Sequence, residues 1–190
     1  MNRDTLLDAF RETGGMLEGH FTLTSGMHSD QYFQCARLLA HPRHAAACGE
    51  AIAAKMPEGI THVISPAMGG LIIGHEVARA LGVPFLFTER VEGAMTLRRF
   101  DFPDCCRAAV VEDVITSGGS LLEVASLIRE AGGEVAATAS VVDRSGDRNV
   151  DFGAPFQSLL KVEVNAWDPA ACPLCAEGLE AVKPGSRHLS

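Results

Sequence analysis

The clearest signal in the 190-residue chain is AAVVEDVITSGGSLLEVASLI, residues 108–128. It begins as an apolar run typical of a buried strand, places Glu112 and Asp113 side by side, and passes through small and hydroxylic residues into an apolar pattern at helical spacing. In a parallel sheet, ligands bind beyond the carboxyl ends of the strands, where this pattern puts both acids. Gly118 and Gly119 allow close backbone approach, and free amides at the start of the following helix favour a phosphate. The stretch therefore predicts a phosphate site beside two carboxylates.

Two carboxylates repel a phosphate, so the pattern makes chemical sense if the acids face hydroxyl groups or a metal on another part of the same ligand. A sugar phosphate has both features. The chain contains no Gly-Lys-Ser/Thr ending and no Gly-x-Gly-x-x-Gly, which excludes two common nucleotide motifs. HEVAR (75–79) begins like a zinc-protease helix but lacks the second histidine. In the alternative interpretation, Glu112 and Asp113 only cap a loop and the glycines only make a turn.

Short β-branched runs alternate with amphipathic segments on both sides of this stretch, which indicates the α/β class: a parallel sheet with helices on both faces. Helices are also predicted near the N-terminus. The predicted strands are 62–66, 83–87, 108–111 and 135–142, and the predicted helices are 2–13, 41–56, 71–81 and 120–132. The proline-containing chain after about residue 151 is expected to pack as an appendage of the same single domain.

Composition narrows the class of partner. The net charge of −8 and the lack of a basic patch with interleaved aromatics argue against nucleic acid and anionic membranes. We find no apolar run of membrane-spanning length and no signal peptide. Six cysteines, two of them adjacent, do not resemble a secreted disulfide framework. We therefore expect a cytoplasmic protein that binds small molecules.

At this point the motifs carry a resemblance. VVEDVITSGGSL (110–121) is similar to the phosphoribosyl diphosphate (PRPP) motif of type I phosphoribosyltransferases. Four further segments resemble the orotate phosphoribosyltransferase family: the N-terminal substrate segment 19–33, the pyrophosphate loop SPAMGG (65–70), the orotate-side DRSGD (143–147) and the subgroup tail 172–187. The resemblance implies a type I phosphoribosyltransferase-like parallel sheet flanked by helices, in one domain over 1–190. A small hood, formed by about 15–38 and 151–190, would cover the site.

The implied reaction transfers the 5-phosphoribosyl group from PRPP to orotate, giving orotidine 5′-monophosphate and pyrophosphate in pyrimidine biosynthesis. The resemblance also implies a homodimer and Mg²⁺, held mainly through PRPP without direct protein ligands. In the family the acids bind the ribose hydroxyls, with Asp113 a catalytic residue, and the loop after them wraps the 5′-phosphate. The implied PRPP-binding residues are Glu112, Asp113, Val114, Ile115, Thr116, Ser117, Gly118, Gly119, Ser120, Met68 and Gly69.

Four residues are implied on the orotate side: Thr116, Arg144, Tyr32 and Phe33. Arg144 makes independent sense, because orotate bears a carboxylate that a guanidinium can hold with two hydrogen bonds. Tyr32 and Phe33 match the family's aromatic pair beside the pyrimidine ring. Core packing is an equally good interpretation of both aromatics.

The cations for the leaving pyrophosphate should come from the long segment 88–103, which the family uses as a closing loop. The usual pattern has lysines and a histidine there, whereas this chain has arginines. We favour Arg90 as the catalytic cation, with Arg98 second; a solvated charged loop is the alternative. Thr24 and Gly69 also stand where some family members carry lysine.

The sequence leaves open whether the cysteines bind a metal, where the histidines lie and which of several functions the protein has. Cys172 and Cys175 form one Cys-x-x-Cys, which is weak evidence for zinc without a second pair. No chelating pair of histidines is predicted, and His20 and His28 are expected at the surface. The function has two alternatives: a phosphoribosyltransferase for a purine or another base, and a non-catalytic regulator that senses PRPP.

Overall fold

The computed structural model describes residues 1–23, 25–148, 150–162 and 165–183. Thr24, one of the two positions where some family members carry lysine, lies outside the described residues. So do 163–164 and 184–190, which belong to the predicted C-terminal part of the hood.

The described chain contains six helices and eight strands. The helices are α1 (Arg3–Glu12), α2 (Cys35–Leu39), α3 (Pro42–Ala53), α4 (Gly70–Leu81), α5 (Gly119–Glu130) and α6 (Pro173–Ala176). The strands are β1 (Met16–Thr22), β2 (His28–Phe33), β3 (His62–Pro66), β4 (Phe85–Val91), β5 (Ala94–Thr96), β6 (Arg107–Ile115), β7 (Glu134–Asp143) and β8 (Phe156–Lys161). No described helix has the length and apolar character needed to cross a membrane.

The main sheet has six strands in the order β5-β4-β3-β6-β7-β8. All neighbours are parallel except β4 and β5, which form an antiparallel hairpin. From β3 the chain adds β4 on one side and then crosses back to place β6 on the other. The strand order therefore reverses between β3 and β6, which is where open α/β sheets bind ligands. The predicted α/β class is confirmed.

Both faces of the sheet are covered, which explains why its central strands read as continuous apolar runs. Val110 of β6 faces one core, with Leu121 and Val124 of α5. Val111, the next residue, faces the opposite core with Val77 of α4. All five side chains are fully buried, and each contributes about 1.5–3 kcal/mol through burial. Helix α5 and helix α4 thus hold β6 between them.

The chain after residue 151 differs from its prediction as a peripheral appendage. Phe156–Lys161 forms β8, a parallel edge strand of the main sheet that pairs with β7. Leu160 of β8 is buried in the main core, which anchors this segment. Among the described residues after β8, the segment 165–183 meets the separate two-stranded sheet of β1 and β2 through bridges at Trp167 and Val182. The C-terminal share of the predicted hood therefore begins well after residue 151.

Candidate active site

Two adjacent carboxylates lie at the point where the strand order reverses. β3 pairs with β6 only as far as Ile64 opposite Val110, so Glu112 and Asp113, which we call the acid pair, project beyond that pairing. Strand β6 itself continues to Ile115, further than the sequence predicted. The acid pair thus borders the opening between β3 and β6.

The loop after β3 packs its backbone directly against the acid pair. A Cβ atom at Gly69 would lie 2.5 Å from Asp113 Oδ1, and one at Gly70 would lie 3.0 Å from the Val111 carbonyl oxygen. A side chain at either position would require its neighbours to move, and at Gly69 that neighbour is the Asp113 carboxylate. Met68, at the tip of the same loop, is 80% exposed. The predicted pyrophosphate loop and the acid pair are therefore in contact.

The acid pair, in which Glu112 is buried and Asp113 half-buried, has no matching cation among the described residues. Glu112 is 9% exposed, and burial together with the neighbouring Asp113 raises the pKa of its carboxyl to about 9. Burial also raises the pKa of Asp113. The Asp113 amide donates to Glu112 Oε1 at 3.1 Å, and the Val114 amide donates to Asp113 Oδ1 at 2.8 Å. No arginine, lysine or histidine forms an ion pair with either acid within the described ranges, so the pair has capacity for hydroxyl donors or a bound cation.

The turn after β6 forms a cavity of about 70 Å³, several times the minimum for one water molecule. Gly118 makes the turn possible, because its φ of 75° lies in the left-handed region. A Cβ there would also lie 2.9 Å from the Phe152 ring. Helix α5 begins at the next residue with its first amides free of intrahelical partners. The cavity is lined by Glu112, Val114, Ile115, Thr116, Ser117, Gly118, Gly119, Ser120 and Leu121, which includes the whole predicted phosphate loop.

Arg144 follows β7 and reaches the same end of the sheet, where its amide donates to the Ile115 carbonyl at 2.9 Å. Its guanidinium carbon lies 5.9 Å from the centroid of the Tyr32 ring. Burial lowers the pKa of Arg144, and Tyr32 and Cys35 oppose that shift. The Nε atom is buried and has no hydrogen-bond partner among the described residues. A half-buried guanidinium whose Nε donor has no partner among the described residues is a suitable partner for a carboxylate ligand.

The two aromatics of β2 face opposite sides of the hairpin. Tyr32 lies beneath Arg144, whereas Phe33 is 3% exposed and packs edge-on against Phe10 with ring centroids 5.3 Å apart. Core packing, the alternative left open by the sequence, is what the structure shows for Phe33. Of the predicted aromatic pair, Tyr32 is the residue placed near the site.

Cys35 is a site residue that sequence reasoning missed. Its thiol donates to the Asp113 carbonyl at 3.6 Å, and burial followed by the Asp113 charge raises the pKa of this thiol well above its ordinary value. Cys35 therefore joins the hairpin of β1 and β2 to the end of β6. Its position directly after the aromatic segment was the only available signal.

The arginines of segment 88–103 differ in their partners. Arg90 forms two hydrogen bonds with Glu123 of α5, at 2.8 and 3.0 Å, and Glu123 raises the pKa of Arg90. Arg99 pairs in the same way with Glu89, at 2.7 and 3.1 Å. Arg98 is exposed and forms no ion pair within the part of the chain that the structure describes. The structure thus favours Arg98 over Arg90 as the cation available to a ligand.

The expectation that His20 lies at the surface is wrong. His20 is 6% exposed, and its Nε2 atom lies 2.9 Å from Nδ1 of His28. The bulge in β1 between Glu18 and Phe21 changes the register with β2, and the C-terminal segment covers the imidazole.

Comparison with known proteins agrees with this geometry. The chain is 48% identical to the orotate phosphoribosyltransferase of Desulforamulus reducens over 192 residues, with all of both chains covered. It is 52% identical to that of Carboxydothermus hydrogenoformans over 186 residues, covering 96% of this chain and 97% of the relative. The crystal structure of orotate phosphoribosyltransferase from Aeropyrum pernix superposes with a TM-score of 0.69 at 24% identity, covering 83% of this chain and 93% of the other. No protein-family model matches the chain.

Proposed function

The chain belongs to the orotate phosphoribosyltransferase family, and we propose that the opening between β3 and β6 is where it transfers the 5-phosphoribosyl group of PRPP to orotate. The products are orotidine 5′-monophosphate and pyrophosphate, in pyrimidine biosynthesis. The observation that carries the proposal is the uncompensated acid pair beside a small cavity lined by the start of a helix.

The reaction breaks a C1–O bond of the ribose and forms a C1–N bond to the pyrimidine. Its transition state has oxocarbenium character, as in glycoside cleavage, so no nucleophilic side chain is required. The site must instead hold both reactants in line, stabilise charge on the leaving pyrophosphate and keep water away from C1.

We assign the PRPP end to the acid pair and the turn. Ribose hydroxyls would donate to Glu112 and Asp113, whose buried oxygens have no cationic partner within the described ranges. The 5′-phosphate would accept hydrogen bonds from the amides of 117–120, at the positive end of the α5 dipole. The 5′-phosphate would thereby be kept away from the Glu112 and Asp113 carboxyls, because the two contact different parts of one PRPP molecule. The loop after β3, with Met68 and Gly69, would border the pyrophosphate.

We assign orotate to Arg144 and Tyr32. The guanidinium would hold the orotate carboxylate, and the phenol ring beneath it would fix the plane of the guanidinium. Thr116, exposed at the turn, lies between the phosphate cavity and the Arg144 backbone contact at Ile115. A base without a carboxylate would leave Arg144 unpaired, which is the physical basis for selecting orotate over uracil or a purine.

Mg²⁺ belongs to the same proposal. The donor set fits, because the buried carboxyl of Glu112 and the half-buried carboxyl of Asp113, both with raised pKa values, lack a counter-charge within the described part of the chain. The ion would be held mainly by PRPP oxygens and would lie next to Glu112 and Asp113. When bound it supplies positive charge to the leaving pyrophosphate. Glu112 and Asp113 would contribute by orienting the ribose hydroxyls.

The remaining charge on pyrophosphate is assigned to Arg98, with the 88–103 segment as a closing loop. We further propose that a homodimer places this loop over the partner's site. The β4–β5 hairpin presents Val91, at 36% exposure, next to a turn at Glu92 and Gly93. If the loop acts across the dimer, mixing inactive Arg98→Ala and Asp113→Asn proteins would restore about a quarter of wild-type activity, since half of the randomly mixed dimers have one intact site. If the loop acts within its own chain, the mixture stays inactive.

The domain boundaries and the location complete the proposal. We treat 1–190 as one domain, because β8 inserts into the main sheet while the segment after it contacts β1 and β2. We place the protein in the cytoplasm, where a reducing environment suits its six free thiols.

The direct test is an initial-rate assay with PRPP and Mg²⁺, following pyrophosphate release with orotate, uracil, hypoxanthine or adenine as the acceptor. Turnover with orotate, and with none of the other three bases, supports the proposal. Turnover with a purine but not orotate would identify a different base, and no turnover with any base would indicate a PRPP-binding regulator. In the same assay the Asp113→Asn variant should lose most of its activity. Circular dichroism should show that this variant is still folded.

A further inference from the structure

Four nitrogen and sulfur atoms converge away from the acid pair, where the C-terminal segment crosses the β1–β2 hairpin. They are His20 Nε2, His28 Nδ1, Cys172 Sγ and Cys175 Sγ, and all lie within 4.8 Å of one another. The histidines come from β1 and β2. The cysteines flank the first turn of α6, more than a hundred residues later. The fold thus joins two halves of a donor set that are separate in the sequence.

The separations match a tetrahedral site. Cys172 Sγ lies 3.4 Å from His20 Nε2, Cys175 Sγ lies 3.3 Å from His28 Nδ1 and 3.8 Å from His20 Nε2, and the two ring nitrogens are 2.9 Å apart. Zinc–nitrogen bonds of about 2.0–2.1 Å and zinc–sulfur bonds of about 2.3 Å at tetrahedral angles place neighbouring ligand atoms roughly 3.3–3.8 Å apart. Among these four separations the nitrogen–nitrogen distance is the one below that range, and a small rotation of one imidazole would lengthen it; the remaining two pairs lie within 4.8 Å.

A second contact sets the orientation of His20. Its Nδ1 atom lies 2.8 Å from the carbonyl oxygen of Leu179. A carbonyl can only accept, so Nδ1 carries the proton and Nε2 presents its lone pair to the cluster. Histidine ligands of metals commonly use their other nitrogen in this way, donating to a carbonyl or carboxylate.

The segment that supplies the cysteines has little else to hold it. Among described residues 165–183, which we call the C-terminal tail, Cys172 alone is buried. Leu179 and Val182 are 50% and 57% exposed. Backbone hydrogen bonds attach the tail at two places, to His28 through Trp167 and to His20 and Thr22 through Val182. The cluster lies between these attachments, where hydrophobic burial is almost absent.

We propose that His20, His28, Cys172 and Cys175 bind one Zn²⁺ ion that fastens the C-terminal tail to the β1–β2 hairpin. Four protein ligands close the coordination shell, so the site is structural and takes no part in the transfer reaction. Two cysteines and two histidines form a donor set typical of zinc. Binding releases the two thiol protons and adds attachment energy to that of the tail's backbone hydrogen bonds and of the Asn165 side chain, which donates to Asp30 of β2.

In the sequence, the single Cys-x-x-Cys of Cys172 and Cys175 was only weak evidence for zinc. A second cysteine pair was the missing evidence, and the two histidines take its place. Residues 20 and 28 give no helical or short-spacing signature, because a β-hairpin with a bulge brings them together. The site is independent of the proposed transferase function.

The test measures metal in the full-length protein purified without a metal-affinity step from zinc-supplemented cells. Elemental analysis should give about one zinc per chain for the wild type and for Cys105→Ser, which removes an exposed thiol outside the cluster. The double variant Cys172→Ser/Cys175→Ser should contain none, and protease should cleave its tail much faster. Wild-type protein without zinc, a double variant that retains zinc, or a Cys172–Cys175 disulfide in the native protein would overturn the proposal.

A second measurement avoids the folding of variants. Zinc is removed from the wild-type protein under reducing conditions and replaced with Co²⁺, whose spectrum reports geometry. Tetrahedral coordination with thiolates gives intense visible bands and a sulfur-to-cobalt charge-transfer band, and both should reach their maximum at one equivalent. Weak octahedral bands, or none, would contradict the proposed ligand set.

Discussion

Replacing Glu112 with glutamine should make the protein more stable and weaken its binding of PRPP. The side chain is 9% exposed, and burial beside Asp113 raises the pKa of its carboxyl from the ordinary value of 4.5 to about 9. At intermediate pH the folded chain therefore retains a proton that the unfolded chain has lost. Stability then falls as pH rises from about 4.5 to about 9, because the folded state binds more protons throughout that window.

The size of the effect follows from linkage. Each pH unit within the window lowers the free energy of unfolding by about 1.4 kcal/mol, so at pH 7 the carboxyl destabilises the fold by about 3 kcal/mol relative to a neutral side chain of the same shape. Glutamine is such a side chain, and its oxygen can still accept from the Asp113 amide. We expect Glu112→Gln to gain about 3 kcal/mol at pH 7, almost nothing at pH 4 and more at pH 8.5.

Urea unfolding at these three pH values, followed by circular dichroism, measures the gain. Glu58→Gln is the matched control, because Glu58 is exposed and its change should stay within about 0.5 kcal/mol at every pH. Calorimetric titration of both variants with PRPP and Mg²⁺ should show binding weakened for Glu112→Gln alone. A gain that does not change with pH, a loss of stability, or unchanged PRPP binding would refute the reasoning.

The remaining predictions concern three other parts of the site. Arg144→Ala should raise the KM for orotate by about 10- to 100-fold, because the charge-assisted hydrogen bonds to the orotate carboxylate are lost. The KM for PRPP should change far less. Equal changes in the two KM values would count against the carboxylate role of Arg144. Gly118→Ala should lower the free energy of unfolding by about 2–4 kcal/mol, because alanine is strained at a φ of 75° and its Cβ would contact the Phe152 ring. An unaltered urea midpoint would show that the turn tolerates a side chain. Arg98→Ala should reduce kcat more than Arg90→Ala, whose main effect should be the loss of the solvent-exposed ion pair with Glu123 and little change in stability. The reverse order of kcat values would restore Arg90 as the catalytic cation.

The parts of this molecule that were predictable from sequence are encoded within single stretches. The strand, the acid pair, the glycines and the helix start of 108–128 follow one another directly, and each has its chemistry set by immediate neighbours. Gly69 was named from the resemblance of SPAMGG (65–70) to the family's pyrophosphate loop, and the structure places it against Asp113. Arg144 was named from the resemblance of DRSGD (143–147), and its guanidinium also suits the orotate carboxylate.

The parts that escaped prediction depend on contacts between distant segments. Arg90 has a partner because the β4–β5 hairpin reaches Glu123 of α5, a contact without a local signature. Phe33 and Tyr32 are neighbours in sequence, and only the placement of the hairpin shows which one enters the core. The cluster of His20, His28 and the two cysteines spans most of the chain, so neither half was persuasive alone.

The most direct measurement is a crystal structure of the enzyme with PRPP, Mg²⁺ and an unreactive orotate analogue that retains the carboxylate. The account predicts the ribose hydroxyls on Glu112 and Asp113, the 5′-phosphate on the amides of 117–120, and the carboxylate on Arg144. A 5′-phosphate bound elsewhere, with the turn after β6 unoccupied in that complex, would contradict the account.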